Sequence, residues 1–232
     1  MSLKIGVENG AEGRTIMWVL DHLGCFSYGE NSQEALRALP LAVQDYNEWL
    51  IKHGLGEQAV SPGQSVQIDE TWEVYNIDEN YVVSQDGYEV NAWFQDDWRP
   101  LTKPEIKLGI TLLAASRRDL LLSVAGLDEE TLNRKITGER WSIAGILNHV
   151  GNADWWYLDR LGLSFSRDEV PAEPVEWLKQ VRSHMLSVLP TLVDSTQVVG
   201  IDGEFWSPRK VLRRAVWHER DHTAHIRKLL AE

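Results

Sequence analysis

The sequence predicts two domains, a small α+β domain followed by an all-α domain arranged as an up-and-down four-helix bundle. In the first hundred residues, short runs of β-branched and aromatic residues alternate with Gly and Asn, whereas longer segments with apolar residues every three or four positions follow. The charge changes at the same place. Residues 1–100 contain five Lys or Arg and 17 Asp or Glu, and residues 101–232 contain 18 of each. We therefore place the domains at 1–95 and 101–232.

The first domain is expected to contain several strands and one helix. Ser32 is the expected N-cap of the helix, and the 3.6-residue apolar period continues to about His53, where Gly54 ends it. Pro40 either kinks this helix or marks its true start. Strands are expected at residues 3–9, 15–22, 24–28, 65–75, 81–84 and 88–94.

The segment HLGCFSYGENSQEALRALPLAVQDYNEWL resembles the N-terminal domain of HicB-type antitoxins. The family has a Pro-Gly-Cys loop with an aromatic residue and a Gly-acidic pair, followed by a helix that starts near Glu-Ala. Leu23 stands where the family usually has Pro. The resemblance implies a HicB-like α+β fold over about a third of the chain. No ribbon-helix-helix or helix-turn-helix pattern follows it, which argues against operator binding.

Four helices are expected in the second domain. Two of them carry clear start signals, because Ser142 precedes an apolar-periodic run and Ser207 precedes Pro208, a favourable first helical residue. Four helices of this length over some 130 residues predict a four-helix bundle. The helices are expected at 103–127, from Ser142 to Leu161, at 175–193 and from Ser207 to the C-terminus.

Three of the seven histidines lie within eight residues of the last predicted helix. At about 100° per residue, His218, His222 and His225 share one strip of that helix. The i, i+4 and i, i+3 pairs can each share a metal ion, whereas His218 and His225 lie about 10 Å apart along the axis. A third ligand must come from elsewhere. The alternative is that histidines simply suit the negative end of the helix dipole.

His149 is the candidate for the third ligand. It lies in the middle of a predicted helix, among apolar residues expected to face the interior of the bundle. Three histidines from two helices commonly build an open metal site that leaves a position for water or substrate. A hydrogen-bonded core histidine is the alternative.

Residues 141–161 and the segment WSPRKVLRRAVWHERDHTAHIRKLL resemble the DinB-like superfamily, and the match covers residues 103–232. The family has a histidine in its second helix and an HxxxH motif in its last, which correspond to His149, His218 and His222. The resemblance implies that these residues hold a divalent metal ion, often nickel or zinc. His225 stands where many relatives have Gln, so it is a further ligand, a residue that orients a ligand through a hydrogen bond, or a residue that faces outward.

The resemblance also implies a class of chemistry. Relatives include transferases that use low-molecular-weight thiols and a thiol-dependent isomerase. Three neutral imidazoles leave the charge of the ion available to lower the pKa of a bound water or thiol. We therefore expect a metal-dependent transferase or hydrolase acting on a small molecule, with Trp156 and Trp217 lining its pocket. Asp154 is the candidate proton carrier, and an ion pair with arginine is its alternative role.

Composition excludes several function classes. No apolar run approaches the roughly 20 residues that cross a bilayer, so a cytoplasmic protein is expected. The single Cys25 excludes an internal disulfide and a multi-cysteine metal site. The acidic first domain argues against nucleic-acid binding. It suits a basic partner, so the alternative function is a non-catalytic interaction protein related to toxin–antitoxin systems or stress. Homodimerisation through helix faces is a further expectation.

Overall fold

A computed structural model of the protein describes residues 2–61 and 63–231. The chain divides into two compact units. The first comprises Met1–Arg99 and Val198–Lys210, and the second comprises Pro100–Gln197 and Val211–Glu232. The predicted second domain, 101–232, includes Val198–Lys210, which the structure places in the first unit. Within the described residues, no helix combines the length and apolar character needed to cross a membrane.

The first unit is built around a four-stranded sheet and one helix. The strands are β1 (Ser2–Ala11), β2 (Arg14–Val19), β3 (Phe26–Gly29) and β4 (Ser65–Glu73), in the order β3-β2-β1-β4. Strand β1 pairs antiparallel with β2 and parallel with β4. Helix α1 (Ser32–Lys52) connects β3 to β4 and buries Ala35, Leu39, Tyr46 and Leu50. The predicted α+β character is confirmed, and the HicB-like fold stays a prediction.

The N-cap of α1 differs from the predicted residue. Asn31, rather than Ser32, accepts hydrogen bonds from the backbone N–H groups of Gln33 and Glu34, each at 3.1 Å. The Ser32 hydroxyl donates instead to the side chain of Asn9 at 2.9 Å. Asn and Ser are both strong N-cap residues, so local sequence does not distinguish between them.

A second small sheet and a hairpin complete the first unit. Strands β5 (Tyr75–Ile77), β6 (Val83–Ser84) and β7 (Tyr88–Val90) form the sheet, and β8 (Val199–Ile201) pairs with β9 (Glu204–Trp206). The sequence does not predict this hairpin because three-residue strands are too short to show a period.

Buried Glu204 links the hairpin to the rest of the first unit. Its carboxylate accepts hydrogen bonds from the Tyr88 hydroxyl at 3.1 Å and from the Asn91 backbone N–H at 2.7 Å. It also accepts one from the Lys210 ammonium at 3.0 Å. A buried carboxylate requires such partners, and here they come from segments more than 100 residues apart in the chain.

The second unit is helical. Its elements are α2 (Lys103–Ser123), the short α3 (Glu129–Asn133), α4 (Ile143–Asp159), α5 (Pro174–Val188) and most of α6 (Pro208–Ala231). Buried residues from the four longer helices share one core, which includes Leu120, Leu147, Leu178 and Ile226. The predicted helical character is confirmed, and the up-and-down bundle arrangement stays a prediction.

Two predicted helix starts are confirmed. The Ser142 hydroxyl accepts from the Gly145 backbone N–H at 3.2 Å, and the Ser207 hydroxyl accepts from the Lys210 backbone N–H at 3.1 Å. Two predicted ends are too late, because α2 ends at Ser123 and α5 ends at Val188. A 3-10 turn at Leu189–Leu192, containing Pro190, follows α5, consistent with the inability of proline to continue a helix.

Substitution of Gly151 is expected to disturb the packing of α4 against α5. A β-carbon at Gly151 would lie 2.5 Å from Cδ1 and Nε1 of Trp177. We expect Gly151→Ala to lower the free energy of unfolding by about 1–3 kcal/mol, since overpacking outweighs the helix-propensity gain of about 1 kcal/mol. Urea denaturation measures the change. The double variant Gly151→Ala/Trp177→Phe should recover part of the loss, and a stabilising Gly151→Ala would contradict the expectation.

Candidate metal centre

Helices α4 and α6 bring three histidine side chains together. His218 and His222 are one turn apart on α6, and His149 comes from α4. The Nε2 atom of His218 lies 3.0 Å from Nε2 of His149 and 3.0 Å from Nε2 of His222. The three ligand atoms all lie within 4.8 Å of one another. The predicted trio is therefore a single cluster in which three ring nitrogens converge.

The donor set of this cluster fits a divalent metal ion. Nitrogens bound at about 2.0–2.1 Å to a tetrahedral ion lie about 3.3 Å apart, close to the 3.0 Å that separates His218 Nε2 from each of the other two Nε2 atoms. Burial holds the pKa of His218 well below its ordinary value, and the neighbouring His222, His149 and Arg214 lower it further. A neutral imidazole is the form that binds a metal. Imidazole nitrogens are suited to nickel or zinc, whereas magnesium prefers oxygen ligands.

Aromatic rings surround the three histidines. The Trp141 ring stacks on His149 with a centroid distance of 4.4 Å and an interplanar angle of 24°. The Tyr157 ring meets His218 edge-on at 6.1 Å, and Trp217 lies 5.6 Å from the same imidazole. Trp156 contacts Tyr157 at 5.6 Å rather than a histidine. Of the two predicted pocket residues, Trp217 contacts the cluster directly and Trp156 contacts it through Tyr157.

His225 lies beside the cluster and pairs with an acidic residue. Its Nε2 atom is 3.0 Å from Oε2 of Glu139, and both side chains are half-buried. Its ring centroid is 6.3 Å from that of His222. The structure therefore groups His225 with Glu139, outside the set of three convergent nitrogens.

Asp154, the candidate proton carrier, is buried in an ionic network. Its carboxylate accepts from Arg117 Nη2 at 3.0 Å and from Arg182 Nη2 at 2.8 Å. Glu219 shares both arginines, with Arg182 Nη1 at 3.1 Å, and also accepts from the hydroxyl of Ser116. Two guanidinium groups hold this carboxylate, so the geometry supports the ion-pair alternative for Asp154.

Glu219 remains ionised within the same network. Burial alone would raise the pKa of its carboxyl, but Arg182, Arg117 and the Ser116 hydrogen bond outweigh burial and lower it below the ordinary value. Because Glu219 directly follows His218 and Asp154 lies on the helix of His149, the network joins both ligand-bearing helices to α2 and α5 through Arg117 and Arg182.

The metal-free protein is expected to lose stability as the pH falls below about 6.5, the ordinary pKa of histidine. Because the pKa of His218 is lower in the folded state, the unfolded chain binds a proton that the folded chain does not. The free energy of unfolding then falls with decreasing pH by at most about 1.4 kcal/mol per unit for this one group. Urea denaturation with a chelator, from about pH 7.5 to about pH 5, measures the slope.

A matched variant tests the assignment of this slope to His218. His218→Gln removes the titrating group, so the stability of the variant should depend less steeply on pH over the same window. An identical slope in the two proteins would contradict the prediction.

Sequence reasoning missed four residues around the cluster. Trp141 directly precedes the N-cap of α4 and Glu139 lies in the loop before it, so neither shows a periodic signal. Arg117 and Arg182 lie in predicted helices, where a charged residue is usually expected to face solvent. The burial of the two arginines depends on their acidic partners, which lie on α4 and α6.

Comparison with known proteins gives a family match that lies mostly in the second unit. No curated protein matches the chain. All three clustered histidines and His225 fall within a region that matches one family model, and that family is typically metal-binding. The model is that of the DinB superfamily, and it matches residues 112–226 of the chain.

Proposed function

We propose that the second unit binds one divalent ion, nickel or zinc, through His149, His218 and His222, and uses it to activate a small molecule. The substrate class we favour is a low-molecular-weight thiol in a transfer reaction, with water in a hydrolytic reaction as the second choice. The main support for this proposal is that ligand atoms of the three histidines lie within 4.8 Å of one another. A cytoplasmic location fits a thiol substrate, because thiols stay reduced there.

The ligand set supports this chemistry. A divalent ion held by three neutral imidazoles keeps its full charge and lowers the pKa of a bound thiol or water towards neutrality. Trp141 covers one face of His149, so the ring cannot rotate freely away from its position. The rings of Trp141, Tyr157 and Trp217 lie against the histidines, and apolar rings beside a bound cation strengthen its electrostatic effect.

The His225–Glu139 pair is our choice for the proton carrier. A proton released from a bound thiol or water needs an acceptor near the site, and histidine is the side chain that most often serves as a general base. His225 lies one turn beyond His222, and Glu139 orients it through a 3.0 Å hydrogen bond. Asp154 is less suitable, since two arginines already occupy its carboxylate.

Cobalt substitution provides the test of the proposed function. Purified protein is stripped with a chelator, reconstituted with cobalt(II) and titrated with 2-mercaptoethanol. We expect a sulfur-to-cobalt charge-transfer band in the near ultraviolet that grows to saturation. His222→Ala, treated in the same way, should show no such band. Stoichiometric cobalt binding without any band at high thiol concentration would contradict thiol activation and leave water as the substrate, whereas failure to bind cobalt would contradict the metal site itself.

A further inference from the structure

Strand β4 is an unusual edge strand. It lies at the end of the sheet order β3-β2-β1-β4, and among residues 2–61 and 63–231 no strand pairs with its outer edge. Its first five residues, 65–69, are all exposed. The strand is nine residues long and carries no Lys or Pro, the residues that commonly protect an exposed edge from pairing. The register shift after Ile68 leaves Ser65–Ile68 as a regular run that can accept another strand.

Apolar side chains are exposed beside this edge. Val66 pairs with Leu3 and Ile68 with Ile5 in the parallel ladder, so both point to the face of the sheet on which Leu3 and Ile5 lie. Val66 is 42% exposed and Ile68 is 51% exposed. On α1, Leu36 and Ile51 are exposed as well, at 41% and 64%. Isolated exposed apolar residues are ordinary, but several around one strand edge mark an interaction site.

A cavity of about 540 Å³ lies between α1 and the start of β4. Its walls are mostly apolar, and Leu36, Pro40, Val43, Ile51 and Val66 are among the residues that line it. Glu48 is the charged residue in this lining. A groove of this kind can receive alternate side chains of an extended segment whose backbone pairs with β4.

The charge of the first unit indicates which kind of partner fits the groove. Residues 1–99 contain five Lys or Arg and 17 Asp or Glu, and residues 198–210 contain two of each, so the net charge of the unit is −12. Strand β4 itself contributes Asp69, Glu70 and Glu73 and no basic residue. Two copies of this unit would repel each other, whereas a basic segment would be attracted.

We infer that β4 and the adjoining α1 groove bind an extended basic segment of another protein, with apolar residues at alternate positions, by strand addition. The backbone of the segment pairs with Ser65–Ile68. Its apolar side chains enter the groove beside Val66 and Ile68, and its basic side chains lie near Asp69 and Glu70. This site is in the first unit and does not depend on the proposed metal chemistry of the second.

The test uses a fluorescein-labelled octapeptide of alternating valine and lysine, titrated with the full-length protein and followed by fluorescence anisotropy. We expect saturable binding that Ile68→Lys weakens by about tenfold or more, because that substitution removes apolar contact and adds a charge at the pairing edge. Val83→Lys is the matched control. It makes the same change in net charge at a residue of β6 that is 70% exposed in the same unit, and it should change affinity by less than about twofold.

Two comparisons distinguish strand addition from attraction by charge alone and from dimerisation. An octapeptide with the same composition, but with its valines and lysines in two blocks, should bind at least about tenfold more weakly than the alternating peptide. Equal weakening by Ile68→Lys and Val83→Lys, or equal binding of both peptides, would show attraction by charge alone and overturn the site. Sedimentation analysis tests whether a second copy of the protein binds at β4. A dimer that Ile68→Lys dissociates would show that it does, and would contradict the basic segment as the partner.

Discussion

His222→Ala is expected to lower the affinity of the protein for a divalent ion by at least about 100-fold, because loss of groups that merely orient metal ligands already costs about 10–100-fold. His149→Ala should have the same effect, since the two side chains supply convergent nitrogens from different helices. Elemental analysis of the purified protein, followed by competition with a chromophoric chelator for zinc and nickel, measures the loss.

Two histidine variants complete this experiment. His225→Ala should keep affinity within about tenfold of wild type, because His225 bonds Glu139 and not one of the convergent nitrogens. His53→Ala, in the first unit, makes the same substitution away from the cluster and should leave affinity unchanged. Unchanged metal content in both His149→Ala and His222→Ala would eliminate the site, and a loss with His225→Ala equal to that with His222→Ala would make His225 a ligand.

Arg182→Met is expected to lower the free energy of unfolding of the metal-free protein by about 3–5 kcal/mol. Arg182 is buried and contacts both Asp154 and Glu219. Methionine preserves much of its volume but leaves two buried carboxylates with Arg117 as their common cation. Guanidinium denaturation in the presence of a chelator measures the loss without a contribution from metal binding.

The matched control is Lys179→Met on α5. Lys179 and Glu176 are 58% and 60% exposed and form an ion pair at 2.7 Å, so removal of this surface charge should change stability by less than about 1 kcal/mol. A similar effect of the two substitutions would mean that the buried network contributes no more than a surface ion pair. The metal affinity of folded Arg182→Met then reports whether the network also positions His149 and His218.

Helix starts and histidine spacing are predictable because they are local. Ser142 and Ser207 cap their helices through neighbouring backbone N–H groups, an interaction that depends on three or four consecutive residues. His218 and His222 converge because helical geometry alone places residues four apart on one face. His149 required more information, because spacing alone does not show which helix faces α6. Its position among apolar residues expected to face the interior indicated it, and the DinB-like pattern agreed.

Features of the first unit were less predictable. The hairpin at Val199–Trp206 has no periodic signal, and its place follows from the buried carboxylate of Glu204, which is satisfied by Tyr88 and Asn91. The exposure of β4 also cannot be predicted from the sequence. Its apolar residues Val66 and Ile68 read as ordinary strand residues, and only the order of strands leaves them at an edge.

The sequence by itself determined the α+β and helical parts of the chain, the helix caps of α4 and α6, and the pair His218 and His222, because each depends on contacts within about one helical turn or one strand. The tertiary structure alone decided that Asp154 and Glu219 share two buried arginines and that His225 pairs with Glu139. These contacts join residues from 28 to 102 positions apart. Helix packing, rather than local spacing, brings such residues together.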